Sequence, residues 1–110
     1  MGFKSKISPN IGLSASPTTI TDTVSASTVH TVIGLSLANT SSSNITVSAK
    51  LNKGASSSFL IKEASVLPGG GLVLVGGDQK VVLETGDSIT AWASASTSCD
   101  VVTSYLSSAA

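Results

Sequence analysis

Arginine is absent from this 110-residue chain, and cysteine, histidine, tryptophan and tyrosine each occur once. Each scarcity removes a class of function. Without arginine forks, and with six lysines balanced by six acids to a formal charge of zero, there is no basic stripe to grip a phosphate backbone. No nucleic-acid partner is expected. The lone Cys99 excludes an intramolecular disulfide and a cysteine-built zinc site. No apolar run approaches the roughly 18 residues that a membrane helix needs, so no membrane partner is expected. The opening Met-Gly-Phe-Lys-Ser-Lys has no apolar run after its lysines and does not read as a secretory leader. Charged residues make up only 11%, yet 41% apolar residues and a mean hydropathy of +0.39 argue against disorder.

What the chain has in abundance is hydroxyl groups: 22 serines and 12 threonines. They are interleaved with Val, Ile and Leu in short runs divided by turn residues. Val29 to Ala38 is one such run, followed by the turn-rich Asn39 to Asn44. Ile45, Val47, Ala49 and Leu51 then alternate with Asn44, Thr46, Ser48 and Lys50, the period of a half-buried strand. Asn52 to Ala55 reads as a hairpin loop and Ser57 to Lys62 as the returning strand. Val66 to Gly71 and Gly76 to Asp78 read as turns, the latter with Gly76-Gly77 at positive φ, on either side of the aliphatic Leu72 to Val75. Lys80 to Glu84, Ser88 to Ala95 and Asp100 to Ser107 complete the series. Seven or eight strands without helical period predict an all-β antiparallel sandwich, jelly-roll-like, over residues 17–110. Residues 1–16 follow no stable period, and Pro9 and Gly12 break it further. They read as an extended N-terminal arm.

No catalytic constellation emerges. His30 lies within a strand and has no nucleophile elbow near it, so its bland reading is one imidazole on a hydroxyl-rich surface. Asp78 and Asp87 each follow a glycine, where turns use Asp to bond the main chain, and Glu84 and Asp87 flank one turn. The glycine clusters lack the Gly-Lys-Ser/Thr of a phosphate loop. Calcium-loop and metal-ligand spacings are missing as well, so no enzyme activity, cofactor or metal is expected. Cys99 reads as a small buried hydrophobe. Two placements fit Trp92 and Tyr105: packed together over the core, or Trp92 turned outward as a partner anchor.

Residues Leu67 to Ile89, with Gly76-Gly-Asp-Gln-Lys80 as their distinctive part, resemble small virion proteins of tailed bacteriophages of cyanobacteria and other aquatic bacteria. Thr31 to Thr40 and Val101 to Leu106 also look like members of that family. The resemblance implies a non-enzymatic β-sandwich located in the virion, assembled in the host cytoplasm, and it transfers no catalytic residue. A capsid decoration or cement protein follows as the leading expectation, with the major capsid protein or other virion subunits as partners. A homo-oligomer, a trimer by preference, would suit the threefold positions of a shell. A tail-associated neck, baseplate or fibre-linking protein is the alternative. A carbohydrate-binding sandwich is a further one, although only Trp92, Tyr105, Phe3 and Phe59 could serve it. The arm residues Phe3, Lys4, Lys6, Ile7, Ile11 and Leu13, together with Trp92, are the expected partner-binding residues.

Overall fold

A computed structural model describes residues 2–76 and 80–110. Among them, nine strands form two antiparallel sheets: β1 (Gly2–Ser8), β2 (Thr18–Thr19), β3 (Thr28–Asn39), β4 (Ile45–Lys53), β5 (Ser56–Val66), β6 (Gly71–Val75), β7 (Val81–Leu83), β8 (Ser88–Ala93) and β9 (Cys99–Ala109). Sheet A runs β1-β9-β3, with β6 and β7 both pairing along β3, and sheet B runs β2-β8-β4-β5. The fold is all-β and compatible with the expected sandwich.

The alternation legible in the sequence fills the space between the sheets. Ile45, Val47 and Ala49 of β4 and Ile89, Ala91 and Ala93 of β8 meet Val101, Thr103 and Tyr105 of β9 in one buried cluster. Strand β3 changes phase midway. His30 and Val32 point inward, then Leu35 and Leu37, and the shift is absorbed by a bulge between Val32 and Gly34 against β9. One extra residue there keeps both apolar sets inside; without it half the strand would turn its leucines to solvent. Buried Asn39 closes the strand. Its amide donates to the Ser43 and Val66 carbonyls at 2.8 and 3.0 Å, and its carbonyl accepts from Ser41 N–H and Oγ–H. Every polar group of that side chain is thus occupied, as burial demands.

Residues 2–16 belong to this architecture. Gly2–Ser8 pairs with β9 of the same chain in an unbroken register, from Gly2 opposite Ser107 to Ser8 opposite Val101. Phe3, Ser5 and Ile7 share the outer face, a strand period concealed by the serine between two distant apolar residues. Beyond it the chain crosses between the sheets. Ile11 N–H bonds Cys99 carbonyl in sheet A at 2.9 Å, and Ala93 N–H bonds Gly12 carbonyl from sheet B at 3.0 Å. Gly12 is required at this crossing, since a Cβ there would lie 2.3 Å from the Ser16 carbonyl oxygen. Ile11, expected to dock on a neighbour, is instead fully enclosed in this chain's own core. The expected positive-φ turn at Gly76-Gly77 is not found at Gly76; among the described residues the left-handed glycines are Gly54, Gly69 and Gly86. Gly77, with Asp78 and Gln79, lies outside the described residues.

Candidate functional site

The residues singled out in the sequence separate into three places. Phe3 and Ile7 lie on the outer face of sheet A, where the registers of five strands align them with other uncharged side chains. One cross-strand row reads Ile7, Val102, Ser36, Val73; a second reads Phe3, Leu106, Thr31, Val82. Ser5, Ser104 and Gly34 lie between the rows. Phe3, Ile7 and Val73 are 75%, 72% and 70% exposed, and Val82 and Val102 are exposed as well. None of these positions is charged. A flat, uncharged face with this many exposed branched side chains is the kind of surface that soluble proteins keep for partners. Val73, Val82 and Val102 escaped the sequence reading because a continuous aliphatic run does not disclose which of its faces is covered.

Lys4 and Lys6 project from the inner side of the same edge strand. Inward lysines on an edge strand discourage pairing with foreign strands, so they also guard the rim of sheet A. Lys6 Nζ lies 3.5 Å from Asp22 Oδ1, and the Asp22 carboxylate accepts a hydrogen bond from the Tyr105 hydroxyl. That bond is the main cause holding the Asp22 carboxyl below its ordinary value; partial burial opposes it and Lys6 assists. Tyr105 is pushed up to about 12, first by burial and then by the adjacent carboxylate. His30 stacks on the Tyr105 ring with centroids 4.5 Å apart. The cluster ties β1, β3, β9 and the segment after β2 together. It ties three strands to that segment, and its groups face one another rather than an open cleft. Tyr105 therefore packs inward with His30, away from Trp92.

Trp92 sits on the opposite surface, the outer face of sheet B. Its ring meets the edge of Phe59 at 5.9 Å, and Lys50 Nζ lies 4.7 Å from the Phe59 centroid and 5.8 Å from that of Trp92. Lys62 Nζ stands 5.3 Å from the Phe59 centroid. Beside the indole is a depression of about 330 Å³ lined by Leu13, Ser14, Thr46, Ser48, Glu63, Ala93 and Ser94 as well as Trp92. Leu13, read as part of the arm, thus borders Trp92. Phe59 and Glu63 were missed as neighbours of Trp92, since they come from a strand paired with β4 and not with β8.

Two further features are structural. Lys53 pairs with the Asp87 carboxylate and, at 3.2 Å, with Glu84 Oε1, while Asp87 Oδ2 accepts the Glu84 N–H at 2.9 Å. Lys53 is the main cause holding the Asp87 carboxyl low, and burial opposes it. Cys99 is buried, and burial raises its thiol to about 11, which leaves it unreactive at neutral pH. Among the described residues no group of three or more His, Cys, Asp or Glu is placed to hold a metal ion.

Comparison with protein-family models, with curated proteins and with solved structures finds no match for this chain.

Proposed function

We propose that this chain is a non-enzymatic structural subunit of a bacteriophage particle, a decoration or cement protein that attaches to the major capsid shell through the outer face of sheet A. The observation that supports it is the paired, mainly apolar rows Ile7–Val102–Ser36–Val73 and Phe3–Leu106–Thr31–Val82, uncharged across five strands. A shell binder present in many copies must crowd without repelling its own kind, and a formal charge of zero meets that need. It must also be rigid. Two antiparallel sheets, laced at one end by the crossing at residues 10–12, supply a stiff block whose outer face can span a joint between shell subunits. A small homo-oligomer, a trimer at threefold positions, suits this role. The sequence resemblance to small virion proteins points the same way.

The test is the copy number per purified particle, measured by quantitative mass spectrometry, together with particle binding by Ile7→Lys and Val73→Lys. Hundreds of copies, and binding weakened about tenfold or more by either lysine, are expected, since a charge forced into an apolar contact stays unpaired. A handful of copies would move the protein to the tail. Absence from particles, or full binding by both folded variants, would overturn the reading.

A further inference from the structure

The sheet A face leaves the opposite side of the sandwich without a role, and that side holds the depression beside Trp92. We infer that this depression is a binding site for a neutral saccharide, with Trp92 as the stacking wall and Glu63 as the hydroxyl-binding carboxylate.

The strands place an acceptor, donors and an aromatic around one hollow. Across sheet B, Val47 pairs with Ala64 and Ala49 with Ile61, so Lys62 and Glu63 together oppose Ser48. This is a bulge, and Glu63 takes a left-handed φ of 50° within it. A non-glycine residue rarely adopts that conformation, and bulges re-aim the side chains they carry. Here the bulge puts Glu63 on the rim of the hollow that has Trp92 on another side. Among the described residues Glu63 makes no ion pair.

The floor supplies donors. Ser48 Oγ accepts the Glu63 N–H at 2.9 Å, and Ser94 Oγ accepts the Thr46 N–H at 2.9 Å. With each oxygen already accepting from the main chain, each hydroxyl proton is directed to other acceptors. A ligand here meets hydroxyl donors below, an acceptor-only carboxylate at one wall and an indole at another. Vicinal hydroxyls satisfy the first two at once, because each both donates and accepts. The C–H face of a sugar ring satisfies the third.

Phe59, with Lys50 and Lys62 at its ring, buttresses Trp92, and Lys50 also stands 5.8 Å from the indole centroid; the working surface is the part of the indole that lines the hollow with Glu63 and Ser94. The volume of about 330 Å³ lies at the small end of ligand sites, where pockets begin near about 300 Å³. Peptide capture by strand addition would not fill this hollow: β4 and β8 are each paired on both sides, and a strand added to the edge strand β5 would lie on the side of β5 away from β4 and Trp92.

The chain's single tryptophan makes the test direct, since fluorescence excited selectively at tryptophan comes from the indole beside this hollow and not from Tyr105. The full chain is titrated with methyl mannoside, lactose, maltose, cellobiose and N,N′-diacetylchitobiose. A saturable change in Trp92 emission with at least one of them is expected, at a dissociation constant on the order of 1 mM or tighter. Glu63→Gln should weaken it about tenfold or more, because the variant exchanges a charged acceptor for a neutral amide. Chemical-shift mapping of Trp92→Leu should show the same loss without relying on the indole. Val73→Lys, on the other face, should bind sugar normally, so that failure of shell attachment and failure of this site are separable. No saturable response to any of the five sugars, or a response unchanged in Glu63→Gln, would overturn the inference.

Discussion

Replacing Ile11 with alanine separates an arm that serves a partner from a segment that serves its own fold. Ile11 is 0% exposed, and its N–H is anchored on the Cys99 carbonyl at 2.9 Å. Alanine in its place removes three buried carbons, which at about 0.8 kcal/mol each gives roughly 2.4 kcal/mol from transfer alone. The neighbours can close the space only in part, because the crossing is fixed to both sheets by main-chain bonds at residues 11 and 12. The cavity that remains raises the expected loss to about 3–4 kcal/mol, within the range for buried Ile-to-Ala changes. In urea, with a slope of about 1–3 kcal/mol per molar, the midpoint should fall by roughly 1.5 M. Ile7→Ala is the control: Ile7 is 72% exposed on the outer face and should shift stability by no more than about 0.5 kcal/mol. Equal, small effects from both variants in equilibrium unfolding would refute this account and return residues 9–16 to the status of a loosely held arm.

Two further outcomes follow from the polar clusters. The only tyrosine should ionise near 12 in the native state, read from its phenolate absorbance, and earlier in Asp22→Asn, which removes the carboxylate that raises it. Because the folded value lies above the ordinary 10.0, the stability that Tyr105 contributes is complete below pH 10 and is lost as pH rises toward 12. At the β7–β8 turn, Asp87→Ala strips the Glu84 N–H and Lys53 of their acceptor and should cost about 1–3 kcal/mol by thermal unfolding. The Asp87 carboxyl is held low, so its contribution is present at neutral pH and fades as pH falls below the ordinary 3.8.

How far the sequence disclosed this depends on the element. β4 was readable because its inner positions are apolar and its outer ones polar, a contrast that only one strand orientation satisfies. β1 was not, because its contrast is inverted. Its outer positions carry Phe3 and Ile7 and its inner ones Lys4 and Lys6, so a rule that sends apolar groups inward misplaces all four. Val73, Val82 and Val102 were hidden differently, because apolar neighbours such as Leu72, Val81 and Val101 leave no alternation to mark the outer face. Trp92 stood open between two placements because Thr90 and Ser94 mark an outward face while a tryptophan usually seeks cover. The structure supplies partial cover on the outside, from Phe59 and Lys50. No spacing in the sequence joins Glu63 to Trp92, since their approach depends on β4 lying between β5 and β8 and on a bulge that a single chain does not signal.

The distribution of charge gives the two proposals a common orientation. The outer face of sheet A bears none along its apolar rows, whereas Lys50, Lys62 and Glu63 gather on or beside the outer face of sheet B. Burying charge against a partner is costly unless each group is paired, so of the two faces sheet A is the one that can be covered at least desolvation cost. In a two-sheet block the outer faces point in opposite directions. A subunit attached through sheet A therefore turns Trp92, Glu63 and their hydroxyl floor away from its support and toward solvent. A weak saccharide site so displayed gains from repetition: many copies on one rigid support bind a multivalent glycan surface far more tightly than a single copy binds one sugar. On this argument the pocket can be shallow and the apolar face cannot, because only the pocket acts in many copies on one ligand surface, while the attachment of each subunit must hold by itself.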